Sequence, residues 1–519
     1  MADLVSVEHA IGELVHDGDS VALEGFTHLI PFAAGHEVLR QERAELELIR
    51  MTPDVLYDQM IGMGVARKLV FSYGGNPGVG SLHRFRDAIE NGWPRPIEIA
   101  EHSHAGMANR YAAGAADLPF GVMRGYRGTD LAERAQVRSI ACPFTGEELT
   151  AVPALRPDVT IIHAQEADRE GNVQLWGIPG VQKEAVLAGP PLAGDGRAHR
   201  GPTGSPSRRS RDPGVGDRLR RGGAGRVAPV LLAGHHRARQ RLLQVLGRGQ
   251  PRPGDVPRLD GGDGAGQGAL DMTVATAAEV QTVEAARRLR HARSVFIGVG
   301  RPSTAAILAR AVHNPDLVLV YESGTIGAKP SRVPLSIGDG ELAQTADVVV
   351  SVPEMFNYWI GAGRIAVAFL GAAQVDRYAN LNSTVIGDYD HPRIRLPGAG
   401  GAPEIAAGCD EVIVIAPHSK RTFVEQLDFR TTVGHGDGPG SRERLGFRGA
   451  GPTAVITDLG VLEPDAETKE LVLTQVHPAV EVEQVRDSTG WELKLAHDVG
   501  NTAPPTAEEL SALRDLVSR

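Results

Sequence analysis

Short aliphatic runs that end in glycine recur along the chain and predict buried β-strands. Examples are Ser20–Gly25, Ser294–Gly300 and Leu317–Gly327. These runs lack the alternation of apolar and polar residues that marks a strand with one solvent-facing side, so both faces of each strand should be covered. Ser303–His313 follows Pro302, a residue that favours the first turn of a helix. The pattern predicts an α/β fold with open, mainly parallel sheets and helices on both faces.

Further runs extend this prediction over both halves of the chain. Leu46–Arg50 and Lys68–Ser72 predict short buried strands, as do Ala346–Ser351 and Glu411–Ala416. A glycine-rich stretch, Gly74–Ser81, should turn ahead of a helix. Its backbone N–H groups could cradle a phosphate, and a tight structural turn is an equally good interpretation.

One longer pattern occurs twice and predicts that the two halves are related. Val159–Gln174 and Val367–Asn382 each contain an apolar strand followed by Ala-Gln, Asp-Arg and an asparagine, with one extra residue in the first copy. Agreement at so many polar positions indicates an internal repeat. The Asp and Asn of each copy favour hydrogen bonds within their own turn, and His163 is expected to be structural.

The composition changes abruptly between the two copies. From about Gly189 to Leu270 the chain has fifteen Arg but no Lys, no Glu and no aromatic residue. Such a tract predicts disorder, and His235–Arg239 alone could suggest a nucleic-acid-binding arm. Codons for Arg, Gly, Ala and Pro can be built wholly from G and C, so we favour the hypothesis that a GC-rich gene is here read out of frame. The predicted domains are residues 1–188 and 272–519, separated by an aberrant segment at 189–271.

Length and charge narrow the class of protein. The 519 residues exceed what one core normally holds, and 42% hydrophobic with 23% charged residues is ordinary for a soluble globular protein. A net charge of −10 gives no field that would attract nucleic acid or an anionic membrane. We see neither a signal peptide nor a run long enough to span a bilayer, so we expect a cytoplasmic protein.

The two cysteines, Cys142 and Cys409, argue against a disulfide framework. No cluster of Cys and His has the spacing of a metal site, so no metal is expected.

A carboxylate stands at the end of one predicted core strand. Glu322 follows Leu317–Tyr321, and the glycines after it allow a sharp turn and close approach by another molecule. Open α/β sheets bind ligands at this end of their strands. Glu322 could simply be the first solvated residue there. It could bind a ribose hydroxyl in a dinucleotide-binding unit, although Gly298-x-Gly300-x-x-Ser303 lacks the third glycine. It could also attack an activated acyl carbon.

The last of these roles is supported by a resemblance. Tyr321–Gly327 resembles the nucleophile segment of family I coenzyme A transferases, close to the glutaconate and 3-oxoacid branch. Residues 5–188 resemble the α subunit of that family and residues 272–519 the β subunit, so that two subunits are fused in one chain. The supporting segments are Gly25–Phe26, Thr52–Asp54, Gly74–Ser81, Cys142–Leu149, Met272–Thr276 and Thr474–Gly490.

The resemblance implies an activity and a set of site residues. CoA would move between an acyl-CoA and a carboxylic acid by a ping-pong mechanism, through a thioester of CoA with Glu322. The turn containing Gly398, Gly400 and Gly401 would face the thioester carbonyl and supply oxyanion or CoA contacts, and Pro403 departs from the family pattern. The CoA thioester is then a substrate, with no permanently bound cofactor, and we expect a homo-oligomer.

Other residues are candidates for the acyl pocket. Ser103 and His104 invite interpretation as a nucleophile and base, but neighbours in an extended segment point to opposite faces. We therefore expect them to line the acyl pocket together with Gly25 and Phe26.

Two alternative functions stay open at this point. The same fold could hydrolyse an acyl-CoA or open a ring in a CoA-linked catabolic intermediate, or the chain could be a dinucleotide-binding protein. Nothing in the sequence identifies the acyl group.

Overall fold

The computed structural model describes residues 5–76, 80–168, 172–189 and 275–518, together with the backbone of Val227–Val230. The prediction of a disordered segment at 189–271 therefore falls almost entirely outside the described residues. None of the described helices is long and apolar enough to cross a membrane.

The N-terminal half alternates strands and helices. Its described strands are β1 (Ser20–Glu24), β2 (Leu46–Ile49), β3 (Ala66–Phe71), β4 (Glu98–Glu101), β5 (Phe120–Met123), β6 (Arg138–Ala141), β7 (Glu148–Pro153), β8 (Val159–His163), β9 (Glu166–Ala167), β10 (Val173–Gln174) and β11 (Val227–Val230). Its described helices are α1 (Val7–Leu14), α2 (Phe32–Arg40), α3 (Val55–Gly62), α4 (His83–Glu90), α5 (His104–Ala115), α6 (Leu131–Arg134) and α7 (Gln182–Ala188).

Six of these strands form a parallel sheet in the order β11-β8-β1-β2-β3-β4. Successive side chains of a strand point to opposite faces. Val21 and Leu23 of β1 accordingly pack in a core with α1 to α4, while Ala22 packs in a second core with α5 and α7. Helices thus cover both faces, which explains the continuous apolar run. β5, β7 and β6 form a separate antiparallel sheet.

The C-terminal half has the same alternation with more strands. Its described strands are β12 (Ser294–Ile297), β13 (Val318–Tyr321), β14 (Thr325–Ile326), β15 (Val348–Val349), β16 (Val367–Leu370), β17 (Gln374–Val375), β18 (Leu381–Asn382), β19 (Val385–Gly387), β20 (Pro392–Arg395), β21 (Glu411–Ile415), β22 (Gly451–Ile456), β23 (Gly460–Pro464), β24 (Leu471–Val476) and β25 (Lys494–Asn501). Its helices are α8 (Ala277–Arg287), α9 (Arg301–Leu308), α10 (Gly340–Thr345), α11 (Val352–Glu354), α12 (Ala402–Gly408), α13 (Ser441–Arg444), α14 (Val482–Asp487) and α15 (Ala507–Ser518). Turns of π-helix, Ala309–His313 and Met355–Ile360, continue α9 and α11.

Ten strands of this half form one sheet in the order β15-β14-β13-β12-β16-β21-β22-β23-β24-β25. The central strands from β13 to β22 are parallel, and antiparallel pairs flank them on both sides. The order β13-β12-β16-β21 repeats the order β2-β1-β8-β11 of the N-terminal sheet. The prediction of two related α/β halves is confirmed.

The repeated turn has the same hydrogen bonds in both halves. Asn172 donates its backbone N–H and its side-chain amide to the carboxylate of Asp168, at 2.9 and 2.6 Å. Asn380 does the same to Asp376, at 2.9 and 2.8 Å. Each turn connects a two-stranded hairpin, β9–β10 or β17–β18. The prediction that these polar residues stabilise their own turn is confirmed.

One predicted strand is largely absent. The sequence predicts a buried strand at Ala346–Ser351, but only Val348–Val349 pair, as the edge strand β15, and Val348 is 44% exposed. The prediction is wrong because an apolar run does not reveal whether it lies at the centre or the edge of a sheet. The chain here turns back through antiparallel β14, so no described strand covers the outer side of β15.

One of the two cores, the one that contains Ala22, extends across both halves. The cluster that holds Met107 and Tyr111 of α5 also holds Val283 of α8 and Phe356 of the π-helical turn after α11. α5 packs directly against α11. Residues that follow strands of both halves line one shared cavity.

Candidate active site

A cavity of about 420 Å³ lies between the halves, at the carboxyl ends of β12, β13, β16 and β21. The N-terminal half contributes Thr27, Thr52, Tyr73 and His104 to its lining. The C-terminal half contributes Glu322, Arg301 and the glycine turn at residues 398–401, together with apolar side chains. The cavity is complete only when both halves are in place.

Glu322 is held in this cavity by a tight reversal of the chain. Residues 322–324 connect β13 to the antiparallel β14. Gly324 has φ +105°, and a Cβ there would lie 2.0 Å from the carbonyl oxygen of Val350. A glycine is therefore required two residues after the carboxylate. The Glu322 side chain remains 16% exposed, which leaves it open to the cavity.

His104 of the N-terminal half bonds to this carboxylate. Its Nδ1 lies 2.7 Å from Glu322 Oε1, and the ring is only 2% exposed. The rings of Phe26 and Phe356 contact the imidazole edge-on, with centroids 5.5 and 5.9 Å away. Two aromatic contacts and a hydrogen bond therefore fix the imidazole against Glu322. Among the described residues, Nε2 has no hydrogen-bond partner.

The expected extended geometry around His104 is wrong. Ser103 is the N-cap of α5, where its Oγ accepts the N–H of Gly106 at 3.0 Å, so His104 is the first residue of a helix. A serine cap satisfies one of the free N–H groups at a helix start, which is a signal that the sequence offered. The helical turn directs the two side chains to different carboxylates in the other half.

Ser103 donates its hydroxyl to Glu404 Oε1 at 2.7 Å. Burial raises the pKa of Glu404 to about 8, and the nearby charge of Glu322 acts in the same direction. Glu404 Oε2 has no hydrogen-bond partner within the described parts of the chain. A Cβ on Gly125 would lie 2.3 Å from Oε1, so the glycine makes room for this carboxyl group.

The glycine turn between β20 and α12 is held by the N-terminal half. Gly400 donates its N–H to the carbonyl of Ser72 at 3.0 Å and accepts the N–H of His104 at 2.7 Å. Gly398 donates to the carbonyl of Ser383 at 3.0 Å. The N–H of Gly401 has no acceptor among the described residues.

Gly401 lies directly against the carboxylate. A Cβ at this position would be 2.3 Å from Glu322 Oε1 and 2.5 Å from the ring of Phe356. The absence of a side chain therefore lets the backbone approach Glu322, as a glycine does where a ligand or group must come close.

A buried ion pair anchors the same turn. Glu101, at the end of β4, pairs with Arg395, and both side chains are 0% exposed. Glu101 Oε1 also accepts the N–H of Ala399 at 3.0 Å, inside the turn, and Oε2 accepts the hydroxyl of Tyr389 at 3.2 Å. A carboxylate of one half thus fixes the turn of the other.

Most of the residues predicted to line the acyl pocket do not line the cavity. Of Gly25, Phe26, Ser103 and His104, only His104 lines it. The carbonyl of Gly25 accepts a hydrogen bond from the Arg50 guanidinium at 2.7 Å.

The interpretation of Gly74–Ser81 as a phosphate cradle stays a prediction, since residues 77–79 are outside the described parts. At the start of this stretch, the N–H of Gly74 donates to the carbonyl of Pro397 at 2.7 Å.

Several residues at the site were not found from the sequence. Tyr73 lines the cavity, and burial, followed by the charge of Glu322, raises its pKa. Glu404 and Glu101 were also missed. Their local signals are weak: Tyr73 precedes the glycines of residues 74–75, and Glu404 follows Gly401 by three residues.

Most of the chain matches a known protein family. Residues 4–188 and 279–488 match the coenzyme A transferase family. The chain belongs to this family. It is a CoA-transferase of the family I type with α-like and β-like halves fused in one polypeptide, and it uses a CoA thioester as substrate. The predicted fold class, enzyme class and CoA transfer are confirmed.

Named relatives match each half separately. For the C-terminal half, one subunit of 3-oxoadipate CoA-transferase from Pseudomonas knackmussii is 56% identical over 248 residues, covering 48% of this chain and 95% of the relative. For the N-terminal half, the other subunit of 3-oxoadipate CoA-transferase from the same organism is 64% identical over 189 residues, covering 36% of this chain and 67% of the relative.

A solved structure matches both halves together. An acyl-CoA transferase from Escherichia coli O157:H7, solved as a thioester complex with CoA, has a TM-score of 0.66 at 16% identity. The match covers 97% of this chain and 95% of the solved chain, which shows a shared fold.

Proposed function

We propose that this enzyme transfers CoA between an acyl-CoA and a 3-oxo dicarboxylic acid such as 3-oxoadipate, through a covalent thioester of CoA with Glu322. The observation that carries the proposal is the Glu322 carboxylate, held by His104 in a cavity between the halves. The substrate class is supported by the two 3-oxoadipate CoA-transferase relatives, which are 56% and 64% identical to the two halves.

The reaction needs no water and no oxidant. A carboxylate oxygen of Glu322 attacks the thioester carbonyl, the C–S bond breaks, and CoA thiolate leaves behind a mixed anhydride. The thiolate then attacks the carboxyl carbon of Glu322, the bond from that carbon to the bridging oxygen breaks, and the first acid departs as its carboxylate. A second carboxylate repeats the two steps in reverse order and takes the CoA.

His104 would orient the nucleophile. Its Nδ1–H donates to Oε1, which fixes the carboxylate plane and leaves Oε2 without a hydrogen bond to any described residue. An oriented nucleophile lowers the entropic part of the barrier. Oε2 is then the oxygen that attacks.

Gly401 would stabilise the oxyanion. The N–H groups of Gly398 and Gly400 already donate to protein carbonyls, so we assign them to holding the turn. Gly401 N–H remains for the developing charge on an oxygen beside Glu322, where a preorganised donor acts most strongly.

The compartment, oligomeric state and partners of the enzyme are also part of this proposal. We expect it to act in the cytoplasm, as a homo-oligomer and without a permanently bound cofactor. Its partners would be the small-molecule acyl-CoA and carboxylic acid, with no nucleic acid or membrane.

The Glu322→Gln variant tests the mechanism. Because an amide cannot form the anhydride, exchange between an acyl-CoA and an acid should fall by roughly a thousandfold or more. Borohydride should trap the thioester in the wild type, detected by mass spectrometry at Glu322, and should trap nothing in the variant. Glu483→Gln, an exposed site in α14, is the matched control and should keep wild-type activity.

Retained exchange in a folded Glu322→Gln protein would remove Glu322 from the mechanism. The hydrolase alternative is separated by measuring free CoA when no acceptor acid is present. Release of CoA at the full rate of exchange would mean that water, and not an acid, is the second substrate.

A further inference from the structure

Arg301 is the one arginine or lysine among the described residues that line the cavity. It begins α9, directly after the glycine turn at residues 298–300. Its side chain is exposed, and it makes no ion pair with any carboxylate in the described parts of the chain. A cation without a protein counter-charge therefore faces the space into which the substrates must enter.

The guanidinium is held in place by a buried amide. Arg301 Nη1 donates to Gln281 Oε1 at 2.6 Å. Gln281 is fully buried, and its amide nitrogen donates to the carbonyls of Ala416 and Ile456 at 3.1 and 2.9 Å. With its amide nitrogen bonded twice, Gln281 can offer Arg301 only its oxygen. One N–H of Arg301 is thus committed, and the remaining donors are left for a ligand.

Arg301 and Glu322 follow neighbouring strands. β12 and β13 are parallel, and Ile297 lies opposite Tyr321. The residues that leave these strands, Gly298 and Glu322, therefore start about 4.8 Å apart. A Cβ on Gly298 or Gly300 would meet no atom within 4 Å, so the space beside this turn is open.

We propose that Arg301 binds the distal carboxylate of the acyl group and so makes the enzyme select dicarboxylic substrates. This rests on the proposed function, in which one carboxyl of the acid is exchanged at Glu322. The planar guanidinium offers a carboxylate two parallel hydrogen bonds. The phosphates of CoA lie beyond the pantetheine arm, which is longer than a six-carbon diacid, so a cation in the same cavity as Glu322 fits the acyl end of the substrate.

The test compares two thioesters of equal chain length, adipyl-CoA and hexanoyl-CoA. In Arg301→Gln, kcat/KM for adipyl-CoA should fall by about tenfold or more, as loss of a hydrogen bond to a charged group implies. The value for hexanoyl-CoA should stay within about twofold of the wild type. Arg301→Lys should recover part of the loss, since it keeps the charge without the fork. Arg310→Gln, further along the same helix and away from the cavity, is the control.

Measurements of binding affinity test the role of Arg301 independently of the catalytic role of Glu322. Calorimetry measures the affinities of the two thioesters for two proteins. One carries Glu322→Gln alone, and the other carries Glu322→Gln together with Arg301→Gln. A preference for adipyl-CoA that is lost when Arg301 is replaced by Gln supports the proposal, even if the assignment of Glu322 as the nucleophile fails. An unchanged preference overturns it, and an equal loss for both thioesters overturns it in favour of a CoA phosphate contact.

Discussion

Glu404 carries its carboxyl group in surroundings that disfavour a negative charge. It is buried, Ser103 donates to one of its oxygens, and the other oxygen has no partner among the described residues. Glu322, by contrast, opens to the cavity and bonds to His104. Two carboxyls at one site are thus given different environments. With a pKa of about 8, Glu404 is mostly protonated at neutral pH.

The proton on Glu404 should make stability depend on pH. Its pKa in the folded protein is about 8, above the ordinary value of 4.5. The native state therefore binds the proton more tightly, and this stabilisation is complete below the ordinary value and is lost as pH rises towards 8. Relative to Glu404→Gln, the free energy of unfolding of the wild type should fall with pH by up to about 1.4 kcal/mol per unit.

Urea denaturation of both proteins between about pH 5 and about pH 8 measures this difference. Tyr126 and Glu322 also face Glu404, so the comparison uses the difference between the two proteins rather than either curve alone. Glu483→Gln should follow the wild-type curve. A difference that stays flat over this range would show that Glu404 is already ionised.

The glycine turn at residues 398–401 is the element that joins the halves at the site. Backbone hydrogen bonds to Ser72 and His104, and the carboxylate of Glu101, hold it from the N-terminal side. Its own sequence supplies only the conformational freedom that glycine gives. The position of the turn against Glu322 is therefore set by the N-terminal half.

Gly401→Ala tests this element. The φ of Gly401 is −94°, which alanine can adopt, but the new Cβ would lie 2.3 Å from Glu322 Oε1. Because a displacement of about 1 Å can cost about a hundredfold in rate, kcat should fall by roughly that factor. Overpacking should also cost about 1–3 kcal/mol of stability.

Steady-state kinetics and thermal melting measure the two effects. Gly340→Ala is the control, because a Cβ at the start of α10 meets no atom within 4 Å. Wild-type kcat in Gly401→Ala would contradict the close approach of this turn to the nucleophile.

The match to the coenzyme A transferase family is interrupted between the two halves. It stops at residue 188 and resumes at residue 279, close to the limits of the aberrant segment. The 3-oxoadipate CoA-transferase relative of the N-terminal half is covered over 67% of its length, whereas the relative of the C-terminal half is covered over 95%. About a third of the first relative therefore has no counterpart in this match. The hypothesis of a shifted reading frame accounts for this loss.

The coding DNA tests the hypothesis directly. Translating the region for residues 189–271 in the other two frames should give an amphipathic sequence that contains Glu and aromatic residues and resembles the end of the family's α subunit. The same translation of the DNA for residues 20–100 is the control and should give no such sequence. If neither alternative frame yields it, the segment is genuine.

The sequence alone determined the α/β class, the duplication and the strand that carries Glu322. Aliphatic runs, glycine turns and repeated Asp and Asn positions are local features, and local backbone preference follows from neighbouring residues. The family resemblance added the activity and the glycine turn, because its motifs are contiguous segments.

Which side chains meet at the site depends on how the two halves pack together. His104 and Glu322 are 218 residues apart, Ser103 and Glu404 are 301 apart, and Glu101 and Arg395 are 294 apart. Each pair joins one half to the other, so no periodicity or spacing in either half reports it. Packing the two sheets with their carboxyl ends towards a common cavity brings these groups together, and burial there changes the protonation of Glu404.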